Sequence, residues 1–256
     1  MTNEELLEKG TRALEEGDAK AAIQLFEQAL KGQETAEGWL LLAEAQIESG
    51  AYAKARKSLV AGLHVAPDET ELLFALGDLN FEEGRNEEAL ENYQRIIDLD
   101  PEEIDALVSK AMVYINLDDL DQAENTCRQA LSLAEDSAFA LNALGDIHIA
   151  QGKAAEAVAC FERAAELEPE DPQPWLSLAD LHYDAGHLDQ AESCCLKGLK
   201  LDPGAPSGYL TLGNICLDLD RSQDALENYQ QFLRLERSPA AKQIRDEVAA
   251  VVEGLK

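Results

Sequence analysis

Three residues with metal-binding side chains, His148, His182 and Cys216, recur at intervals of 34 residues, and Cys160, Cys194 and Cys195 lie near them in the chain. Imidazole and thiolate are the ligands zinc prefers, so a metal centre is the first chemistry the pattern suggests. The regular interval argues against it. Equivalent positions on stacked helical units stand about 8–10 Å apart, whereas zinc holds its ligands at about 2.0–2.3 Å. Two such residues would struggle to meet at one ion, and packing is the expected role of the column. The five cysteines, Cys127 included, are odd in number and form no CxxC pair. That fits reduced thiols turned toward a core better than a disulfide framework. His64 and His187 are expected near turns and exposed.

Other reactive arrangements are missing. No GxxxxGK[ST] or GxGxxG phosphate cradle occurs, and no HExxH or GxSxG. Paired carboxylates abound, but a chain with 51 acidic residues forms such pairs by composition alone. The expectation is a non-catalytic protein with no cofactor and no bound metal.

The interval of 34 belongs to the whole chain. An Ala followed four residues later by a large apolar residue or Cys occurs at Ala22/Phe26, Ala55/Leu59, Ala89/Tyr93, Ala123/Cys127, Ala157/Phe161, Ala191/Cys195 and Ala225/Tyr229. Small residues keep the same beat at Gly10, Ala43, Gly77, Ala111, Gly145, Ala179 and Gly213. Each is preceded four positions earlier by a large apolar residue: Leu6, Trp39, Leu73, Leu107, Leu141, Trp175 and Tyr209. Within each unit the apolar residues fall at helical spacing in two windows separated by a turn. One such unit cannot bury its apolar face alone, so neighbours must stack.

These residues resemble the tetratricopeptide repeat, whose signature runs W-x2-L-G-x2-Y, then A-x3-F, then P. Leu73, Leu76, Gly77, Ala89, Tyr93 and Pro101 carry it in one unit, and Leu141, Leu144, Gly145, Ala157, Phe161 and Pro169 in another. The resemblance implies an all-α fold: a right-handed helix-turn-helix solenoid of seven repeats over 3–35, 36–69, 70–103, 104–137, 138–171, 172–205 and 206–239. A capping helix over 240–256 would complete a single array spanning 1–256, with no linker and no appended domain. It also implies a protein-binding adaptor, scaffold or chaperone-like module.

Local chemistry fits that plan. Gly17, Gly50, Gly84, Gly152 and Gly186 stand where a helix C-cap needs positive φ, and Asp118 and Asp220 take the place in two units. Pro67, Pro101, Pro169 and Pro203 stop the second helix of their units. The first, fourth and seventh units lack that proline, and the first is one residue short, so local differences in stacking are expected. Thr2 to Glu5 reads as a capping box. Ile244, Val248, Val251, Val252 and Leu255 form an apolar stripe suited to a capping helix.

Charge narrows the partners. With 21 Lys and Arg against 51 Asp and Glu, the formal net charge is −30. Nucleic acids and anionic membranes are held largely through Lys and Arg, so neither is an expected ligand. The opening MTNEELLEKG carries acids rather than the basic and apolar run of an export signal, and no stretch reaches the ~18 apolar residues of a membrane span. A cytoplasmic protein is expected.

The resemblance also implies that the second, fifth, ninth, twelfth and thirteenth positions of each repeat face a concave groove. Of these 35 positions, 13 are acidic and none is Lys or Arg. The candidate acids are Glu37, Glu44, Glu48, Glu71, Asp78, Glu82, Asp105, Asp146, Asp180 and Asp184, with Glu4, Glu15 and Asp218 toward the ends. The candidate apolar groups include Leu40, Ile47, Phe74, Phe81, Val108, Met112, Phe139, Ile149 and Tyr183, of which Phe74, Phe81 and Tyr183 are the expected aromatic anchors. Some members of the family clamp an acidic tail with Lys, Arg and Asn. The corresponding positions here hold Leu7, Thr11, Leu41, Glu71 and Ala75, so that clamp is missing. A basic, amphipathic protein segment is the complementary ligand. Eight of the 13 acids lie in the first three repeats, so the ligand's basic end should sit there. A second reading is self-association, with the groove of one copy taking the basic stretch from Lys54 to Lys57 of another.

Overall fold

The computed structural model describes residues 1–255, which form fifteen α-helices. Seven first helices of 13 residues are α1 (Asn3–Glu15), α3 (Ala36–Glu48), α5 (Thr70–Glu82), α7 (Ile104–Asn116), α9 (Ala138–Ala150), α11 (Pro172–Asp184) and α13 (Pro206–Asp218). Each pairs with the second helix that follows it: α2 (Ala19–Gly32), α4 (Tyr52–Val65), α6 (Asn86–Leu99), α8 (Leu120–Leu133), α10 (Ala154–Leu167), α12 (Leu188–Leu201) and α14 (Ser222–Leu235), all of 14 residues. A last helix, α15 (Lys242–Gly254), packs on α14. Among the described residues no helix is long and apolar enough to cross a membrane.

The turn inside each repeat is built the same way seven times. In the first, the Gly17 N–H donates to the Leu14 carbonyl and the Asp18 N–H reaches back to the Ala13 carbonyl, both at 2.8 Å. This is a Schellman closure, which satisfies carbonyls the helix end leaves open and requires a left-handed residue. The five glycines take φ of 71–79°, and Asp118 and Asp220 take 59° and 56°. The start of the chain carries the expected capping box: the Glu5 N–H donates to Thr2 Oγ1 at 3.2 Å, and the Thr2 N–H to Glu5 Oε2 at 2.9 Å.

Helix pairing rests on matched volumes. Gly10, Gly77, Gly145 and Gly213 lie against the rings of Phe26, Tyr93, Phe161 and Tyr229, so close that an added Cβ would come within 2.3–2.8 Å of a ring carbon. The intervening repeats place Ala43, Ala111 and Ala179 on the first helix and the smaller Leu59, Cys127 and Cys195 on the second, all fully buried. Glycine faces an aromatic ring and alanine faces Leu or Cys, in strict alternation. The volume removed on one helix is supplied by the other, which keeps the interior close-packed.

The connections between repeats show what the closing proline does. Trp175 Nε1 donates to the Pro169 carbonyl at 3.3 Å, and the Tyr209 hydroxyl to the Pro203 carbonyl at 3.2 Å. Trp39 holds the same position after the shortened first repeat, which has no such proline, and its indole N–H is buried without an acceptor.

The chain folds as two compact units, Met1–Leu133 and the remainder from Ala134. In the first, α1 touches α3, α3 touches α5 and α5 touches α7; in the second, α11 touches α13. Among the described residues no second helix makes a comparable contact with another second helix. The first helices therefore line the inner, concave side of each unit. At the C-terminal end, Val248 and Val252 join a buried cluster with Tyr229 and Phe232, and Leu255 packs against it. Ile244 and Val251, expected in the same stripe, each remain 38% exposed. The reason is geometric: α15 has one helix for a neighbour, and a single helix covers only a narrow strip of it.

Candidate functional site

In the first unit the concave positions form a mixed surface. Glu37, Glu44, Glu48, Glu71, Asp78, Glu82 and Asp105 are exposed, while Leu40, Ile47, Phe74, Phe81 and Met112 are half-buried among them. Toward the start of the chain this surface deepens into an open cleft of 670 Å³ whose lining includes Glu4, Leu7, Thr11, Glu37 and Leu41. Val108 departs from expectation. Its side chain lies wholly inside the packing at 0% exposure, as Leu176 at the same repeat position is also buried, whereas Leu40 and Phe74 there reach the surface.

The acids differ in how they are held. Asp78 Oδ1 accepts from the Tyr93 hydroxyl at 2.6 Å, across the helix pair. Burial and this carboxylate together push the Tyr93 phenol well above its ordinary value. Phe74 packs its ring against that of Tyr93, with centroids 6.3 Å apart, so this expected anchor is partly used inside the repeat. Glu44 is exposed at its tip yet crowded by the groove wall. Desolvation raises its carboxyl, and the negative charge of Glu71 adds to the effect.

In the second unit Asp180 Oδ1 accepts from the Thr211 hydroxyl at 2.5 Å. Desolvation nevertheless raises the Asp180 carboxyl, the hydroxyl opposing it and Asp184 adding to it. Tyr183 sets its phenol against Asp218, so it too is partly engaged; burial first, and then that carboxylate, raises it. Asp184 is exposed. Asp146 is half-buried and accepts no hydrogen bond among the described residues. Desolvation alone pushes its carboxyl up to about 6. Phe139 and Ile149, on the same helix, are 48% and 43% exposed, the two most exposed large apolar side chains on any first helix. Sequence reasoning placed both in the groove but chose other residues as anchors. A single acid in the five concave positions is no signal, since α7 and α13 hold one each as α9 does.

The cations lie elsewhere. Arg56 pairs with Glu83, Arg95 with Asp68 at 2.9 Å, Arg128 with Glu124 at 2.5 Å, and Arg163 with Asp136 at 2.7 Å and Glu166 at 3.1 Å. Lys197 sits over the Trp175 ring at 4.1 Å. All five are on second helices. Such exposed pairs stabilise little, but they commit these cations to partners outside the concave positions. In the Lys54–Lys57 stretch, Arg56 is already committed to Glu83 while the two lysines are exposed.

The column of His148, His182 and Cys216 does not converge. Each supplies the carbonyl that closes its repeat's turn, at 2.8 Å. His148 is buried with Nδ1 3.3 Å from Gln151 Oε1, His182 stands 6.0 Å from His187 ring to ring, and Cys216 Sγ accepts from Arg221 Nη2 at 3.1 Å. Cys127 and Cys195 are buried, and burial raises the Cys195 thiol to about 12; Cys160 and Cys194 are only half-buried. No group of three or more His, Cys, Asp or Glu among the described residues is disposed to hold a metal ion.

Paired antiparallel helices of 13 and 14 residues, joined by turns of one kind and stacked with each second helix against the next first helix within each unit, define an α-helical repeat protein. The chain belongs to the tetratricopeptide repeat family, whose sequence profiles match residues 13–77, 80–146 and 148–212, and again 206–239. Such repeats generally mediate protein–protein interactions. The chain is 29% identical over 166 residues to the TPR repeat-containing protein YpiA of Bacillus subtilis, covering 64% of this chain and 39% of that protein. It is 30% identical over 110 residues to human RNA polymerase II-associated protein 3, covering 43% of this chain and 16% of that one. It thus spans well under half the length of these relatives. Among solved structures, a tetratricopeptide repeat protein from Parabacteroides merdae superposes with a TM-score of 0.78 at 21% identity, covering 98% of both chains. Yeast Tom70 superposes with a TM-score of 0.78 at 16% identity, covering 99% of this chain and 53% of that one. At these identities the likeness concerns the fold.

Proposed function

We propose that the protein is a non-catalytic adaptor or scaffold whose acidic and apolar concave surface holds a basic, amphipathic segment of a partner protein. The observation that carries this reading is the segregation of charge. Exposed carboxylates alternate with half-buried Leu40, Ile47, Phe74 and Phe81 on α3 and α5, while Arg56 and Arg95 of the second helices α4 and α6 are paired away from them. A ligand with cations beside apolar side chains is steered by the net charge and seated by the apolar groups. An acidic tail meets repulsion at the same surface.

Charge reversal tests it. Replacing Glu44, Glu48 and Glu82 together by Lys leaves exposed helix positions able to stay helical; Asp78 is left intact because the Tyr93 hydroxyl uses it. Partners captured from the native source by the wild-type chain should be lost by the E44K/E48K/E82K chain, with an unchanged circular dichroism spectrum. Equal capture by both chains would overturn the reading.

A further inference from the structure

Helix α9 carries an arrangement found on no other first helix. Phe139, Asn142, Asp146 and Ile149 are spaced by three, four and three residues, which at 3.6 residues per turn gathers them into an arc of about 80°. The two apolar ends of this arc are the most exposed large apolar side chains on the first helices. Between them the Asp146 carboxylate has no donor among the described residues. Asn142 donates to Asp171 Oδ2 at 3.1 Å and leaves its own carbonyl oxygen without a donor. The arc therefore offers one charged acceptor lacking a donor, above a buried Asn142 oxygen and flanked by apolar surface that solvent does not favour.

We propose that this face of α9 is the anchoring subsite for one Lys or Arg of a partner helix, with that cation on Asp146, an apolar residue one turn to one side of it on Ile149 and another two turns to the other side on Phe139. The proposal rests on the groove-binding reading and adds to it a location and a residue class. Charge complementarity selects the occupant: a carboxylate without a cation among the described residues, held between apolar groups, matches a cation held between apolar groups. Burial also raises the Asp146 carboxyl toward about 6, so the isolated fold is burdened by this charge and pairs it with no donor among the described residues. Residues that cost stability without an internal partner are those a binding site retains.

The test uses the full chain and a fluorescein-labelled synthetic helical peptide that carries a lysine with a leucine one turn to one side of it and a leucine two turns to the other. Its affinity is read by fluorescence anisotropy, and the Ile149 methyl signal is followed by NMR. D146N removes the charge while relieving the burial penalty, so it folds at least as well as the wild type; F139S removes one apolar end. The expected result is a shift of the Ile149 methyl on binding and a loss of affinity of about tenfold or more in each variant, a change of the size a buried charged or aromatic anchor gives. Unchanged affinity in D146N and F139S, with binding lost in E44K/E48K/E82K, would overturn the subsite and leave the groove reading standing. Loss in the α9 variants with full binding by E44K/E48K/E82K would keep the subsite and overturn the placement of the ligand on the first unit. No binding by the wild type would overturn both. A wild-type dimer that F139S converts to monomer in analytical ultracentrifugation would make a second copy of the chain the occupant and overturn the proposal.

Discussion

The third and fifth repeats differ by one oxygen atom at the point where their two helices meet. Both place a glycine of the first helix, Gly77 or Gly145, under an aromatic ring of the second, and both follow it with an aspartate, Asp78 or Asp146. In the third repeat the ring is Tyr93, and its hydroxyl donates to Asp78. In the fifth it is Phe161, and Asp146 is left with the cost of burial and no donor among the described residues. The seventh repeat supports the pairing: Tyr229 donates to Asn214 at 2.8 Å from the same positions. An identical scaffold thus produces a carboxylate bound into the fold in one repeat and a carboxylate available to a ligand in another. The choice is made on the second helix, away from the surface that displays it.

The largest effects should come from removing what the two repeats share. In Gly145→Ala the new Cβ would lie 2.6 Å from Phe161 Cζ, and in Gly77→Ala 2.8 Å from a Tyr93 ring carbon; neither buried ring has room to withdraw. Overpacking of this kind costs about 3 kcal/mol. Gly77→Ala should cost more than Gly145→Ala, because displacing Tyr93 also disturbs its bond to Asp78. Urea unfolding followed by circular dichroism measures both. The alternation of volumes adds a check: Gly145→Ala combined with Phe161→Cys recreates the Ala111/Cys127 pairing and should be milder than the two single changes summed, by 1 kcal/mol or more in the order-of-magnitude range of contacting pairs. Simple additivity would show that the alternation does not reflect packing.

Asp146→Asn comes next and has the opposite sign. Its folded carboxyl is raised from 3.8 to about 6, so between those values the folded chain holds the proton more tightly than the unfolded one. Stability therefore falls as pH rises through this window, and the whole penalty, about 3 kcal/mol at most, is present above it. The Asn variant should be the more stable protein at pH 7.5, and its advantage should vanish as the pH drops below about 4, where both states of the wild type are protonated. An advantage that does not change with pH would mean that packing rather than charge separates the two side chains.

How far the sequence anticipated these sites follows from what each depends on. The repeat, its turns and its caps rest on residues a few positions apart. Gly17, the Thr2–Glu5 box and the Ala22/Phe26 spacing foretell left-handed turns, a capped start and buried pairs. Asp118 and Asp220 could be read as glycine substitutes because the interval of 34 aligned them with glycines. The concave acids were legible for the same reason, since repeat position sets which way a side chain points. What could not be read was the partner of each acid. Asp78, Asp146 and Asp180 look equivalent along the chain, and their differences come from Tyr93, Phe161 and Thr211, which lie 15 to 31 residues away in sequence. Val108 and the longer Leu176 at the same repeat position are both buried, so repeat position alone does not set exposure, and Trp39 lost its acceptor because the loop before it is one residue short.

The smallest changes exchange the oxygen between the two repeats and so test the comparison most directly. Tyr93→Phe removes the donor to Asp78 and should cost about 2 kcal/mol at neutral pH, the range for a hydrogen bond to a charged acceptor. Phe161→Tyr is the reverse experiment. The Phe161 ring meets Gly145 through Cζ where Tyr93 meets Gly77 through Cε1, so a hydroxyl added at Cζ reaches the neighbouring Asp146 carboxylate only if the ring tilts as Tyr93 does. A donor to the charged form lowers a carboxyl, so the Asp146 midpoint should move down from about 6, as followed by carboxyl NMR. Stability at neutral pH should rise by about 1 kcal/mol, less than Tyr93→Phe loses, because the surroundings of Phe161 are packed for a ring without the extra atom. The same variant should bind a cationic peptide more weakly, since a carboxylate already engaged by a hydroxyl has less to offer an ammonium group. An unmoved midpoint would show that the hydroxyl turns elsewhere, and that Asp78 owes its anchoring to the backbone of its repeat rather than to the residue at the Tyr93 position.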